Sequence, residues 1–115
     1  MHELSLCDDL LDQVVAIARQ HHAQSVESIT VHLGALSGVE PSLLDTAFTL
    51  IKAGTVAEHA QLILQTTPVI VSCHHCGIQS EVPANRLLCP ACHSADTDLI
   101  SGDELILASV ALCVN

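Results

Sequence analysis

Two short cysteine hooks constrain this chain more than any other feature: Cys73-His74-His75-Cys76 and Cys89-Pro90-Ala91-Cys92, with twelve residues between them. A C-x-x-C segment turns tightly enough for both sulfurs to face one point while backbone N–H groups reach the thiolates. Two hooks at this separation predict a zinc ribbon with a tetrahedral four-thiolate Zn²⁺ site and Zn–S bonds of about 2.3 Å. Gly77, directly after the first hook, supplies the permissive backbone that such a turn wants, and Pro90 stiffens the second. A rubredoxin-like iron centre uses similar hooks. A redox C-x-x-C is instead one activated pair near a strand-to-helix junction. His74, His75 and His93 read as exposed neighbours of the thiolates, with exchange for one of them as the alternative.

Composition narrows the field further. The chain has 115 residues with six Cys and eight His, and reduced cytosolic thiols favour metal over disulfides. Thirteen acids oppose only Arg19, Lys52 and Arg86, a formal net charge of -10. Four thiolates closed on one Zn²⁺ lower that sum by two more. Such a balance opposes nucleic acid and anionic membranes, where each phosphate contact wants a cation. One Phe, with no Tyr or Trp, also removes the stacking platforms of single-strand binders. No stretch approaches the about 20 apolar residues of a bilayer span. The opening lacks a basic segment followed by an apolar run, so the expected location is the cytoplasm.

Periodicity places the elements. Leu6, Leu10, Val14, Ile17 and Ala18 recur at helical spacing from Ser5 to about His22, with Ser5 and Asp8 as a capping box that leaves residues 1–4 outside. Residues 28–34 alternate as a strand. Pro41 opens a second helix whose stripe is Leu43, Leu44, Ala47, Phe48 and Ile51. Strands follow at 61–66 and 104–113, the latter so continuously apolar that it predicts cover on both faces or an oligomer interface. The expected fold is α+β: two helices packed on a three-stranded sheet, with an inserted four-cysteine zinc-ribbon lobe. The expected domains are 1–67, the ribbon 68–100, and 101–115 as a final strand returning to the first domain. A ribbon this short cannot bury a sufficient core, so metal binding of about 10 kcal/mol or more must hold it.

Structural zinc explains a fold, not a task. At the amino terminus, the α-amine of Met1, the amide nitrogen of His2 and the His2 Nδ1 can close two fused chelate rings. Three nitrogens in one plane suit square-planar Ni(II) or Cu(II). Glu3 or another acid can supply a fourth donor.

Met1-His2-Glu3-Leu4-Ser5-Leu6 resembles the opening of the HypA/HybF family of hydrogenase-maturation nickel chaperones. The likeness continues through residues 31–39, Gly54-Thr55-Val56-Ala57-Glu58, both cysteine hooks and Gly102-Asp103-Glu104-Leu105. The resemblance implies that residues 1–67 are a nickel-binding domain, with Met1, His2 and Glu3 as nickel donors. In some members an acid before the second helix approaches the metal, and Glu40 occupies that place, where capping beside Pro41 is its alternative role. It implies structural Zn²⁺ on Cys73, Cys76, Cys89 and Cys92, and transferable Ni²⁺ delivered to the large-subunit precursor of [NiFe]-hydrogenase. A nickel-insertion GTPase is the implied partner. The apolar end, residues 109–115, departs from the charged final strand common in the family, leaving monomer and homodimer both open.

The contrasting readings are a zinc-ribbon adaptor for protein or nucleic acid, which the charge opposes, and an enzyme. Four Cys ligands close zinc to substrate, and no Ser-His-Asp or Cys-His arrangement is legible, so no enzymatic activity is expected. Cys7 and Cys113 read as small buried apolar residues, and His21, His22, His32 and His59 lack ligand spacing.

Overall fold

The structure is a computed structural model describing residues 2–114, with the backbone alone at His2. Helix α1 spans His2–Gln20, strand β1 Ser25–Gly34, helix α2 Pro41–Ile51 and strand β2 Gln61–Thr67. The strands β3 Val69–Cys73, β4 Gln79–Val82, β5 Thr97–Ser101 and β6 Leu105–Cys113 complete the chain. Two three-stranded sheets result, in the orders β2-β1-β6 and β4-β3-β5. The fold is α+β, with the four-cysteine segment inserted between β2 and β6.

Helix α1 starts earlier than the capping-box reading expects. Ser5 lies within it, and Glu3 places an acid in the first turn, where the positive end of the helix dipole favours one. Leu4 extends the apolar stripe one turn back towards α2, an incentive the local Ser5/Asp8 signature does not weigh. Its other end closes with Ala23 N–H donating to Ala18 O and His22 N–H to Arg19 O. His22 sits at φ 54, the left-handed position that usually falls to glycine in such a terminus. Helix α2 opens on Glu40 as N-cap, its carboxylate accepting from Ser42 N–H, with Pro41 in the first turn.

Two compact units emerge, one of residues 1–31, 39–65 and 106–115, the other of 32–38 and 66–105. In the first, Cys7, Leu10, Leu11, Val14 and Ala18 of α1 are buried together with Leu44, Ala47 and Phe48 of α2 and Val26, Ile29 and Val31 of β1. Helix α1 packs on α2, and the Cys7 thiol donates to Leu44 O at 3.2 Å. Burial pushes that thiol up to about 11, so it stays protonated and inert.

The second unit is built on β3. It pairs antiparallel with β4, Val71 facing Ser80, and with β5 on its other side, Val71 facing Leu99. Val69, Val71 and Val82 form its small core, with Leu36 packed against them. Gly34 N–H donates to Glu104 O, and Leu36 N–H to Gly102 O at 2.6 Å. These bonds explain why residues 32–38 belong to this unit.

The last strand differs from expectation. No residue of β6 is buried, because the strand lies at a sheet edge beside β1. Ile106 is 50% exposed.

Candidate metal centre

The ends of the first hook are set by β3. Cys73 closes that strand, its N–H donating to Ile78 O, and Gly77 N–H returns to Cys73 O at 2.9 Å. Within the loop so formed, the amides of His75 and Cys76 point at Cys73 Sγ, at 3.3 and 3.5 Å. The second hook repeats the device without a strand: Cys89 N–H donates to Ser94 O, and His93 N–H returns to Cys89 O at 2.8 Å. Gly77 at φ 77 and His93 at φ 62 occupy the same left-handed position, one residue past each hook.

The hooks bring all four cysteines together. Their Sγ atoms lie within 4.8 Å of one another. Cys73 Sγ is 3.6 Å from Cys92 Sγ, and Cys76 Sγ is 3.6 Å from Cys89 Sγ. These spacings are too long for disulfides, which hold sulfurs at about 2.05 Å. They match a tetrahedron of Zn–S bonds near about 2.3 Å, whose S···S edges are about 3.8 Å. The donor set therefore fits zinc, closed on all sides by thiolates.

Electrostatics point the same way. Amide donation, led by Cys76 N–H, lowers the Cys73 thiol to about 6, and the Cys92 and Ala91 amides lower Cys89. The Ser94 amide draws Cys92 down, but burial and the thiols of Cys73, Cys89 and Cys76 together push it up to about 12. Cys76, where the Ile78 amide opposes Cys89, also ends above its usual value. Four sulfurs this close cannot all become thiolates without a cation between them, and a bound divalent metal ion supplies that charge.

The neighbouring histidines separate in role. His74 Nε2 lies 2.8 Å from Asp98 Oδ2, and the Asp98 carboxylate raises its pKa. His75 contributes its backbone amide to Cys73, and His93 its turn. Asp98 has no signal in the sequence, since only strand pairing sets Asp98 opposite Ser72. Among the described residues, only the four cysteines form a group of three or more metal-ligating side chains.

The second candidate site lies at the start of α1. Met1 and the side chain of His2 lie outside the described residues. Glu3 stands in the first turn, where it borders a groove with Leu4, Leu43, Thr46, Ala47 and Leu50. Glu40 Oε1 accepts from Ser42 N–H at 3.4 Å and from Ser42 Oγ at 3.1 Å. Both bonds fall on one carboxylate oxygen.

An α+β chain with a helix beginning at residue 2 and a four-thiolate ribbon is a metal-binding protein, and comparison narrows the class. The family profile described as hydrogenase/urease nickel incorporation, metallochaperone, HypA matches residues 1–112, and the chain belongs to that family. Hydrogenase maturation factor HypA of Aquifex aeolicus is 44% identical over the full length of both chains. Its counterpart in Nitrosospira multiformis is 45% identical over 97% of each. A solution structure of HypA protein superposes with TM-score 0.75 at 26% identity, covering 97% of this chain and 96% of the other. The Ni metallochaperone HypA from Helicobacter pylori shares the fold, with TM-score 0.70 at 24% identity over 98% of each chain.

Proposed function

We propose that this chain is a cytoplasmic carrier that takes up Ni(II) at its amino terminus and delivers it to the large-subunit precursor of [NiFe]-hydrogenase, working with a nickel-insertion GTPase and catalysing no reaction. Family membership across residues 1–112, a span that includes Met1-His2-Glu3, carries this reading. The relatives' name, hydrogenase maturation factor, favours hydrogenase over urease as the destination.

The donors proposed for nickel are the Met1 amine, the His2 amide and imidazole, Glu3 and Glu40, with residues 1–67 as the nickel-binding domain. Zinc is proposed for Cys73, Cys76, Cys89 and Cys92 in a ribbon of residues 68–100, with 101–115 returning to the first domain. Zinc holds the ribbon together and takes no part in the transfer.

Helix α1 begins at His2, which supports a releasable site. The first N–H groups of a helix have no intrahelical acceptor, so a metal that displaces the His2 amide proton breaks no backbone bond. The helix dipole opposes a cation there by about 0.3–1 kcal/mol, which favours handing it on. The Met1 amine, with an ordinary pKa of about 7.7–8, competes for protons near neutrality, and acid promotes release.

Nickel titration of untagged, zinc-loaded protein tests the reading. A weak d–d band from planar nitrogen coordination is expected, lost in His2→Ala and in protein extended before Met1, with zinc content unchanged. Equal nickel affinity in wild type and His2→Ala overturns it. Glu40→Asn keeps a capping side chain and removes the charge, so weaker nickel binding at unchanged melting temperature identifies Glu40 as a donor.

A further inference from the structure

The second unit carries a pocket that metal binding leaves unused. Strand β4 ends at Val82, and Arg86 N–H donates to Pro83 O at 3.1 Å, which closes a turn at the end of that strand. This turn and the second hook line a cavity of about 310 Å³, at the small end of the range for small-molecule sites. Val82, Pro83, Leu88, Cys89 and Pro90 give it apolar walls, of which Val82 and Cys89 are buried and Leu88 half-buried. Its charged and polar lining is Glu81, Arg86 and His93.

Two observations set that lining apart from ordinary surface. Arg86 is the single Lys or Arg of residues 66–105, which hold the acids Glu81, Asp96, Asp98, Asp103 and Glu104. Among the described residues its guanidinium makes no hydrogen bond or ion pair, even with Glu81 of the same pocket. Lys52, by contrast, donates to Ala60 O and lies over the Phe48 ring. The other observation is His93, which holds the left-handed position past the second hook that Gly77 fills past the first. Glycine would serve there at lower cost, yet an imidazole is present and lines the pocket. Strain retained where a side chain reaches a pocket points to a use for that side chain.

We propose that this pocket binds the α-carboxylate of an aliphatic amino acid unit. Arg86 and His93 donate to the carboxylate, Glu81 accepts from the α-nitrogen, and the aliphatic side chain lies against Val82 and Leu88. A guanidinium presents its N–H groups as a fork that matches a carboxylate, and a neutral imidazole also has one N–H to give. One guanidinium balances one negative charge, and a chain of net charge -10 disfavours a doubly charged phosphate. Opposite charges in one lining, unpaired with each other, match the two ends of an α-amino acid. The same unit occurs free and as the last residue of a polypeptide. Its nitrogen tells the two sources apart, being an ammonium in one and an amide in the other.

Titration of zinc-loaded, nickel-free protein with L-leucine, N-acetyl-L-leucine and L-leucinamide, followed by amide chemical shifts, tests this. At least one of the two carboxylates is expected to saturate in the millimolar range and to move the Val82, Arg86 and Leu88 amides. Tighter binding of leucine identifies the free amino acid, and acetyl-leucine binding as tightly or better identifies the polypeptide end. Leucinamide, which lacks the carboxylate, is expected not to bind. The glycine counterparts, which lack the side chain, are expected to bind about tenfold or more weakly. Arg86→Gln is expected to weaken binding by about tenfold or more at unchanged zinc content. His93→Gly is expected to weaken it as well, at unchanged zinc content. No saturable shift with either carboxylate, leucinamide or glycine binding as well as leucine, or undiminished affinity in either variant each overturns the proposal. With nickel absent throughout, the outcome is independent of the terminal site.

Discussion

A β-carbon added to Gly34 would collide with the carbonyl oxygen of Gly102. The end of β1 and the turn before β6 therefore touch backbone to backbone, held by Gly34 N–H on Glu104 O and Leu36 N–H on Gly102 O. Gly102 is equally confined, since its own added carbon would meet Val69 Cα at 2.8 Å. The Gly-Asp-Glu-Leu signature thus corresponds to a close approach of two chain segments.

Gly34→Ala is accordingly expected to destabilise the protein by about 3 kcal/mol or more, because the obstacle is backbone that cannot swing aside. Chemical denaturation measures it. A loss below about 1 kcal/mol would mean that the segments separate easily.

Zinc removal should unmake the second unit. Its small cluster of Val69, Val71 and Val82 with Leu36 is too little to hold 66–105 ordered, whereas a four-thiolate zinc site contributes on the order of 10 kcal/mol. Chelation, or Cys89→Ser, is expected to collapse the amide resonances of β3, β4 and β5 while the helices of the first unit persist. Survival of the β3–β4 pairing in metal-free protein would contradict this.

His93 occupies a glycine position, and a side chain there costs about 1–2 kcal/mol. His93→Gly should therefore raise the melting temperature and leave the zinc stoichiometry at one. A fall in zinc content would instead show the imidazole to be a ligand. His74→Ala, which loses only an exposed pair with Asp98, should change neither quantity appreciably.

Glu104 supplies the pH dependence. The Thr67 hydroxyl, more than the Glu104 and Gly102 amides, holds its carboxyl below the usual range against the opposing effect of burial. The ionised form is the favoured one in the folded protein. Its contribution is complete above the ordinary carboxyl value and disappears as pH falls through the lowered one. Thr67→Val should move Glu104 upward in a carbon-detected carboxyl titration and flatten the acid limb of stability. An unmoved titration would remove Thr67 from that role.

Several of these relationships are legible in the residues alone. The hooks are, because spacing by itself forces two C-x-x-C turns to converge, and so is α2, whose Pro41 and apolar stripe act locally. Strand β1 shows where such reading stops. Its alternation breaks between Val26 and Ile29, both buried with two residues between them, so only the regular part from Ser28 onwards announces itself. The start of α1 is misplaced for a related reason: Ser5 and Asp8 satisfy a local signature, while Leu4 answers to a partner helix far along the chain. Strand β6 looks like a buried strand because composition records apolarity without recording who sits alongside. The backbone conformation of His93 leaves no trace in residue type, since nothing about histidine advertises a left-handed turn. Glu40 reads equally well as cap or donor from sequence, and the cap is the contact that the folded chain makes.

The ribbon-bearing unit is assembled from two separate strips of polypeptide, residues 32–38 and 66–105. A cassette excised as 66–105 alone would leave Val69, Val71 and Val82 without Leu36 as their lid, and Gly102 O without its amide donor. Grafting this thiolate knuckle into another host would therefore require carrying the distant heptapeptide along, as a splint supplied in cis or as a synthetic add-back.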